Sequence, residues 1–508
     1  MNVIFEVIAV IITVLIGAVT YAKWAFTYWK RRGVPYIEPT FPFGNLENLF
    51  TAKEYLGVRY TSMQQYQEFK SKGHKHGGIY TFTCPLYMPT DPEYVRNVFS
   101  KDFQYFNDHG TYYNERDDPL SANLFNLSGQ RWKTLRTKLA PTFTPGKIKL
   151  MFDTLLACTN QLVQYVNECS QRNEAIDMKD ALECFTIDVI GSCAFGLECN
   201  SFKNPNSEFR VHGKRIFAAT KQDCLKNLIA YSNNDLGRFL HITTVNSKVA
   251  KFFLNVVKDT VKFREETNFV RKDFMQILID LNNNNVDKEN GKDEKKTFTI
   301  EEIAAQVFIF FMAGYETSST TMSFCLFELA MNPDIQGKLR EEVLTTLQNH
   351  DQQITYDSLM EMKYMNQVID EALRKYPPAF IIPRICVEDY QVPDTDVTIE
   401  KGTRVIIPAL AIHRDPEFYP DPEKFDPERF SDENKRNIKP FTYVPFGEGP
   451  RMCIALRFGL MQTKLGLTVL LKNFKFTLNS RTKVPLVLNP YNIILQAKDG
   501  LWMNAEKL

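Results

Sequence analysis

The segment Pro445-Phe446-Gly447-Glu448-Gly449-Pro450-Arg451-Met452-Cys453 ends a glycine-containing loop on a cysteine, just before a helical pattern. Backbone N–H groups of such a loop and of a following helix N-terminus can stabilise a negatively charged sulfur, lowering its basicity and leaving it a good iron ligand. A lone cysteine in a turn is otherwise a buried structural residue. A second stretch, Ala313-Gly314-Tyr315-Glu316-Thr317-Ser318, lies midway through a long apolar run. There a glycine and a threonine that bonds back to the backbone can open the helical hydrogen-bond ladder. Glu316 without a partner in a buried helix would cost several kcal/mol, so a role beyond packing is expected of it. Glu371-x-x-Arg374 sets opposite charges on one helix face, a pattern that surface ion pairs also produce. Trp132 and Arg136 stand four residues apart, and Arg384 follows Pro383.

The elements that must hold these residues are legible in outline. Thr299 with Glu302 forms a capping box that opens the apolar run, and Pro333 stops it. Its apolar residues surround every face, which predicts a buried helix. Pro377-Pro378 ends a further helix at Tyr376. Strands are expected at Val397–Ile399 and Val405–Ile407 around the turn Glu400-Lys401-Gly402, with another pair between Val484 and Leu495. Gln130 to Leu281 is mostly helical in its spacing, and the polar tract Asn282 to Lys296 reads as an exposed loop. Neither an internal repeat nor a second compositional regime divides the chain, so one α-rich body with minor sheets is expected over residues 46–508.

The N-terminus differs. Residues 3–22 are apolar apart from Glu6, Thr13 and Thr20, long enough to cross a hydrocarbon core of roughly 30 Å once. No basic region precedes the run, no clean small-x-small site follows it, and Lys30, Arg31 and Arg32 come just after. This pattern favours a retained anchor over residues 1–22 with the body in the cytosol, although a cleaved signal peptide is the other reading. Pro35, Pro39 and Pro42 make residues 23–45 a stiff basic and proline-rich connector.

Composition narrows the functions. The 508 residues carry 61 Lys+Arg against 60 Asp+Glu, so there is neither a basic field to hold nucleic acid nor an acidic excess to keep the chain disordered. Hydrophobic residues at 44% and aromatics at 13% suit a ring-rich interior able to surround an apolar pocket. Ten cysteines without C-x-x-C and seven histidines without H-E-x-x-H support neither a disulfide scaffold nor a histidine-held metal.

The spacing of Phe446, Gly449, Arg451 and Cys453 resembles the haem-binding signature of the cytochromes P-450, the haem-thiolate monooxygenases. Three further motifs fall in that family's order: Ala313–Ser318, Glu371-x-x-Arg374 and Phe425-Asp426-Pro427-Glu428-Arg429-Phe430. The resemblance implies a mainly α fold with minor β-sheets behind a single-pass N-terminal helix. It implies haem b with Cys453 as axial iron ligand, Phe446 beside the sulfur, and Arg451, Trp132, Arg136 and Arg384 around the propionates. It gives Glu316 and Thr317 the oxygen-activation role and makes Glu371, Arg374 and Arg429 a structural support of the haem loop. His109 stands where similar sequences usually carry Arg. Ala455 replaces a commoner Gly.

Further stretches, among them Trp29–Pro35 and Pro141-Thr142-Phe143-Thr144, are similar to the insect microsomal family six, rich in xenobiotic-metabolising enzymes. The expected reaction inserts one atom of O2 into a lipophilic substrate at the endoplasmic-reticulum membrane. No dinucleotide fingerprint is present, so electrons are expected from NADPH through a separate reductase, with cytochrome b5 as a further partner and Arg131, Lys133, Lys138 and Arg457 as docking residues. Phe125, Phe308, Met312, Ala313, Ile381 and Ile493 are the expected pocket. Turnover of endogenous hormones, pheromones or fatty acids is the alternative role; an oxygen-independent isomerase or dehydratase and a non-catalytic haem binder are the alternative classes.

Overall fold

The computed structural model describes residues 2–47, 57–218, 221–283, 298–490 and 492–508. Most of the polar tract expected as a loop between Asn282 and Lys296 therefore lies outside the described residues. Nine strands occur among them: β1 (His76–Thr81), β2 (Cys84–Pro89), β3 (Ile176–Asp177), β4 (Ile382–Ile385), β5 (Tyr390–Gln391), β6 (Thr398–Ile399), β7 (Arg404–Ile407), β8 (Phe474–Leu478) and β9 (Trp502–Lys507). Seven helices carry the argument: α1 (Asn2–Ala25), α2 (Gly129–Leu139), α3 (Met178–Ile190), α4 (Glu208–Phe217), α5 (Ile300–Met331), α6 (Lys363–Lys375) and α7 (Leu456–Asn473). The chain divides into two compact units.

The first unit comprises Met1–Gly110, Phe380–Pro420 and Lys439–Met452. Its sheet has the order β1-β2-β7-β4, with β1–β2 and β7–β4 antiparallel and β2–β7 parallel. The parallel pair sets Leu86 against Arg404, a pairing that no local turn can encode. β6 and β7 do not form the expected hairpin: β6 pairs with β5 instead. Ile399 and Ile407 are both fully buried, and each is covered by strands of a different sheet.

Helix α1 is exposed along most of its length, and Ile4–Ala25 is long and apolar enough to cross a membrane. Its last turn is different, because Ala22 and Ala25 are buried. The connector that follows opens with one helical turn, Tyr28–Arg31, ahead of the proline-rich stretch that begins at Gly33. Trp29 anchors that turn. Its indole is wholly buried and donates to the Ile79 carbonyl at 3.1 Å, while its backbone N–H donates to Tyr80 Oη at 3.0 Å. Gly78 accommodates the indole, since a Cβ there would lie 2.3 Å from the ring.

The second unit comprises Thr111–Ala379, Asp421–Ile438 and Cys453–Leu508. At its centre runs α5, opened by the Thr299–Glu302 capping box and ended before Pro333. Phe308 and Phe311 pack their rings on Phe253 at 5.2 and 4.9 Å, and Phe324 stacks on Tyr376 at 4.4 Å. Such ring pairs add to area burial. A small sheet, β3-β9-β8, completes the unit. Between Val484 and Leu495 no strand pair forms; the nearest pairing is an isolated bridge, Leu488 to Ala497.

Candidate functional site

In the second unit the middle of α5 departs from the packing around it. Ala313 is exposed and Gly314 half-buried, whereas Phe311, Tyr315 and Glu316 are buried. Thr317 turns its hydroxyl back to donate to the Ala313 carbonyl at 2.6 Å. That hydroxyl shares an acceptor the helical ladder uses, and the helix stays continuous through this turn.

Glu316 does have a partner. Lys179 Nζ on α3 lies 2.8 Å from Glu316 Oε1, 3.0 Å from Glu183 Oε1 and 2.8 Å from Ser319 Oγ. The desolvation of its charge is thus offset by an ammonium from another helix. Lys179 and Glu183 are the residues that sequence reading missed. Their i,i+4 spacing resembles any helical ion pair, and nothing local ties them to Glu316.

Cys453 precedes α7 and has surface open to water although protein surrounds its sulfur. Burial pushes its thiol above the usual range, while the Ala455 N–H and the charge of Arg136 pull the other way. Burial depresses Arg136, and Cys453 partly restores it. Trp132 is buried on the same helix, α2.

Glu371, Arg374 and Arg429 come together in this unit. Glu371 and Arg374 on α6 are both fully buried. Arg374 donates from Nε at 2.7 Å and from a terminal nitrogen at 2.8 Å to the two oxygens of Glu371, a bidentate pair. A second bond from that nitrogen reaches the Pro422 carbonyl at 2.9 Å, and the Asp426 N–H donates to Glu371 at 2.9 Å. Arg429 Nε lies 3.5 Å from Glu371 Oε1. The network thus grips residues 421–429 by backbone and side chain together.

In the first unit Gly447 and Gly449 have φ of 68° and 72°. A Cβ at Gly449 would stand 2.0 Å from the Phe99 carbonyl oxygen, so the loop carrying Phe446 and Arg451 closes only with glycine there. Arg451 is buried and donates to Asp108 Oδ1 at 2.9 Å and to the Asn107 carbonyl at 2.7 Å. Its carboxylate partner is thus a residue of this chain, adjacent to the buried His109.

Arg384 differs from Arg451. It is buried, bonds its own Pro383 carbonyl at 2.8 Å, lies over the Phe99 ring at 5.1 Å and leaves Nε without a partner. Dehydration and the nearby Arg451 push its pKa down to about 9. Among the described residues no carboxylate pairs with it. A dehydrated guanidinium of this kind calls for an anion, and a carboxylate such as a haem propionate has that chemistry.

The expected pocket residues have different surroundings within their own units. Phe308 is committed to the ring cluster on Phe253, and Met312 is half-buried beside the exposed Ala313. Phe125 and Ile493 are 43% and 71% exposed. Ile381, in the first unit, borders a small cleft with Thr61, Gln65 and Ile406. Of the expected docking residues, Arg131 pairs with Glu115 in the second unit.

The fold and these constellations define a haem-thiolate oxygenase architecture, and a model of the cytochrome P450 family matches residues 43–503. The chain belongs to the cytochrome P450 family and is a monooxygenase of that family. It is 42% identical to "Probable cytochrome P450 6a20" of Drosophila melanogaster, over 98% of this chain and 100% of that protein. Cytochrome P450 6A1 of Musca domestica is 41% identical over 97% of this chain and 96% of its own length. Cytochrome P450 6a8 of Drosophila melanogaster is 40% identical over 99% of both.

Proposed function

We propose that this monooxygenase is a microsomal enzyme, held by α1 in the endoplasmic-reticulum membrane with its body in the cytosol, that oxidises lipophilic foreign compounds such as insecticides and plant toxins. Haem b is the group the residues suit, with Cys453 as iron ligand, Phe446 beside it, and Arg384, Arg451, Trp132 and Arg136 toward the propionates. When bound, it supplies the activation of dioxygen. Electrons come from NADPH through a separate reductase, with cytochrome b5 as a second donor. Residues 1–22 serve as anchor, 23–45 as connector and 46–508 as the catalytic body.

The observation that carries the reading is the bond from the Thr317 hydroxyl back to the Ala313 carbonyl, midway along α5. The Thr317 hydroxyl is tied to Ala313 and is free to exchange that carbonyl for water, so it can hold a proton beside an exposed alanine. Glu316, one residue earlier, is the acid that replenishes it. Apolar residues such as Met312, Phe125 and Ile493 offer burial of about 25 cal/mol per Å2 and few polar anchors, which favours breadth over one hormone.

Thr317→Ala tests the assignment. NADPH oxidation should continue while hydrogen peroxide rises and product falls, and turnover supported by added peroxide should suffer less. Unchanged coupling with substrate bound normally would refute the role. A substrate panel run with reductase tests the breadth.

A further inference from the structure

Behind the Thr317 turn of α5 lies a group of charges for which the proposed reaction has no use. Lys179 sits between two carboxylates, Glu316 at 2.8 Å and Glu183 at 3.0 Å. All three side chains are less than one-tenth exposed. Two carboxylates around one ammonium leave an excess negative charge in the interior, and an isolated buried charge is costly.

The nearest other cations bind a third carboxylate and, among the described residues, make no bond to the two beside Lys179. On α4, Arg210 and Lys214 face this end of α3, and both bind Asp180, at 2.6 and 2.7 Å. Lys214 is also half in solvent, where its field is screened. From α5 the cluster is faced by Tyr315, buried, and by Ser319 and Thr320, none of them cationic. Burial and the neighbouring Glu316 raise the affinity of Glu183 for a proton against the pull of Lys179.

We propose that Glu183 is a positioning residue that shares one proton with Glu316 across Lys179. The cluster then has two arrangements of equal charge. In one the proton is on Glu183 and Lys179 pairs with Glu316; in the other the proton is on Glu316 and Lys179 pairs with Glu183. Passing between them breaks one O–H bond and forms another, with no electron moved and no net charge brought into the interior. Glu316 is thereby recharged as an acid without exposing the helix to bulk water. This rests on the assignment of Glu316 as a proton donor proposed above.

The test is infrared spectroscopy of the full-length holoenzyme at neutral pH, with the carboxyl-proton band identified by its shift in D2O. Glu183→Gln and Glu316→Gln should each lose the same one-carboxyl intensity, because either leaves one carboxylate against Lys179, whereas Lys179→Met should lose none. Intensity that survives in either glutamine variant overturns the shared proton. Should Glu183→Gln not fold, Glu316→Gln and Lys179→Met still decide it. In turnover, Glu183→Gln should lower product per NADPH severalfold, increasingly as pH rises, while keeping the thiolate carbonyl spectrum. If Glu316→Gln uncouples and Glu183→Gln does not, the role of Glu183 falls alone; if neither uncouples, the Glu316 assignment falls too.

Discussion

Glu371→Ala should be among the most damaging single changes in this protein. It removes a fully buried carboxylate that accepts two bonds from Arg374, one from the Asp426 N–H, and faces Arg429. What remains is a fully buried guanidinium that has lost its carboxylate and keeps neutral acceptors such as the Pro422 and Lys424 carbonyls. Breaking a buried pair from one side costs about 3–5 kcal/mol, so a loss of that size is expected in denaturant titrations followed by circular dichroism. Arg374→Ala should cost nearly as much, since Glu371 keeps one backbone donor and a longer contact to Arg429. Arg429→Ala, whose side chain is partly exposed, should cost about 1 kcal/mol. The decisive measurement is the double variant: with both charges gone no buried ion is orphaned, so the loss should fall short of the sum of the singles by about 2 kcal/mol. The ferrous carbonyl band, read on the same samples, should fall in step with the loss of structure around residues 421–429. Strict additivity, or a loss below about 1 kcal/mol for Glu371→Ala, would refute the account of the network.

Other perturbations have equally definite outcomes. Gly449→Ala should destabilise by about 2 kcal/mol or more, from its left-handed φ and the Cβ set 2.0 Å from a backbone oxygen; thermal melts check this. Burial, aided by His74, holds His76 down to about 4, so the unfolded chain takes up a proton near pH 6.5 that the folded one refuses. Its contribution is present above pH 6.5 and is lost as pH falls toward 4, amounting to about 3 kcal/mol, and His76→Gln should flatten that slope in urea titrations. Ala313→Phe should fill space beside the Thr317 turn and shift product ratios across a substrate panel at unchanged haem content, as measured by chromatography. Cys453→His should abolish the red-shifted carbonyl Soret band that thiolate ligation produces, whether or not haem is retained.

The parts legible in sequence were those with local causes. Thr299 and Glu302 open α5 within one turn, Pro333 ends it, and Gly449 demands a left-handed turn by itself. The charge partners were hidden because they are remote. Glu316 meets Lys179 from 137 positions away, and Arg451 meets Asp108 from 343. A helical ion pair such as Lys179–Glu183 carries no mark of the third charge it serves. The exchange of partners by β6 and β7 was hidden for a related reason: two adjacent apolar strands state that each must be covered, not which strand covers it. The ring contact of Phe308 with Phe253 was also hidden, since a helical Phe does not state which remote ring it meets.

The junction at Trp29 has a consequence for movement. A tether that leaves a bilayer through a loose linker lets its cargo tumble, and most encounters with a neighbour in the same membrane then present the wrong side. Here the last turn of α1 is packed and the next side chain inward is locked into the sheet. On the reading that α1 crosses the bilayer, its tilt is passed to the first unit as through a keyed shaft. That unit retains spin about the membrane normal and little else, so a collision in the plane of the membrane searches one angle in place of three.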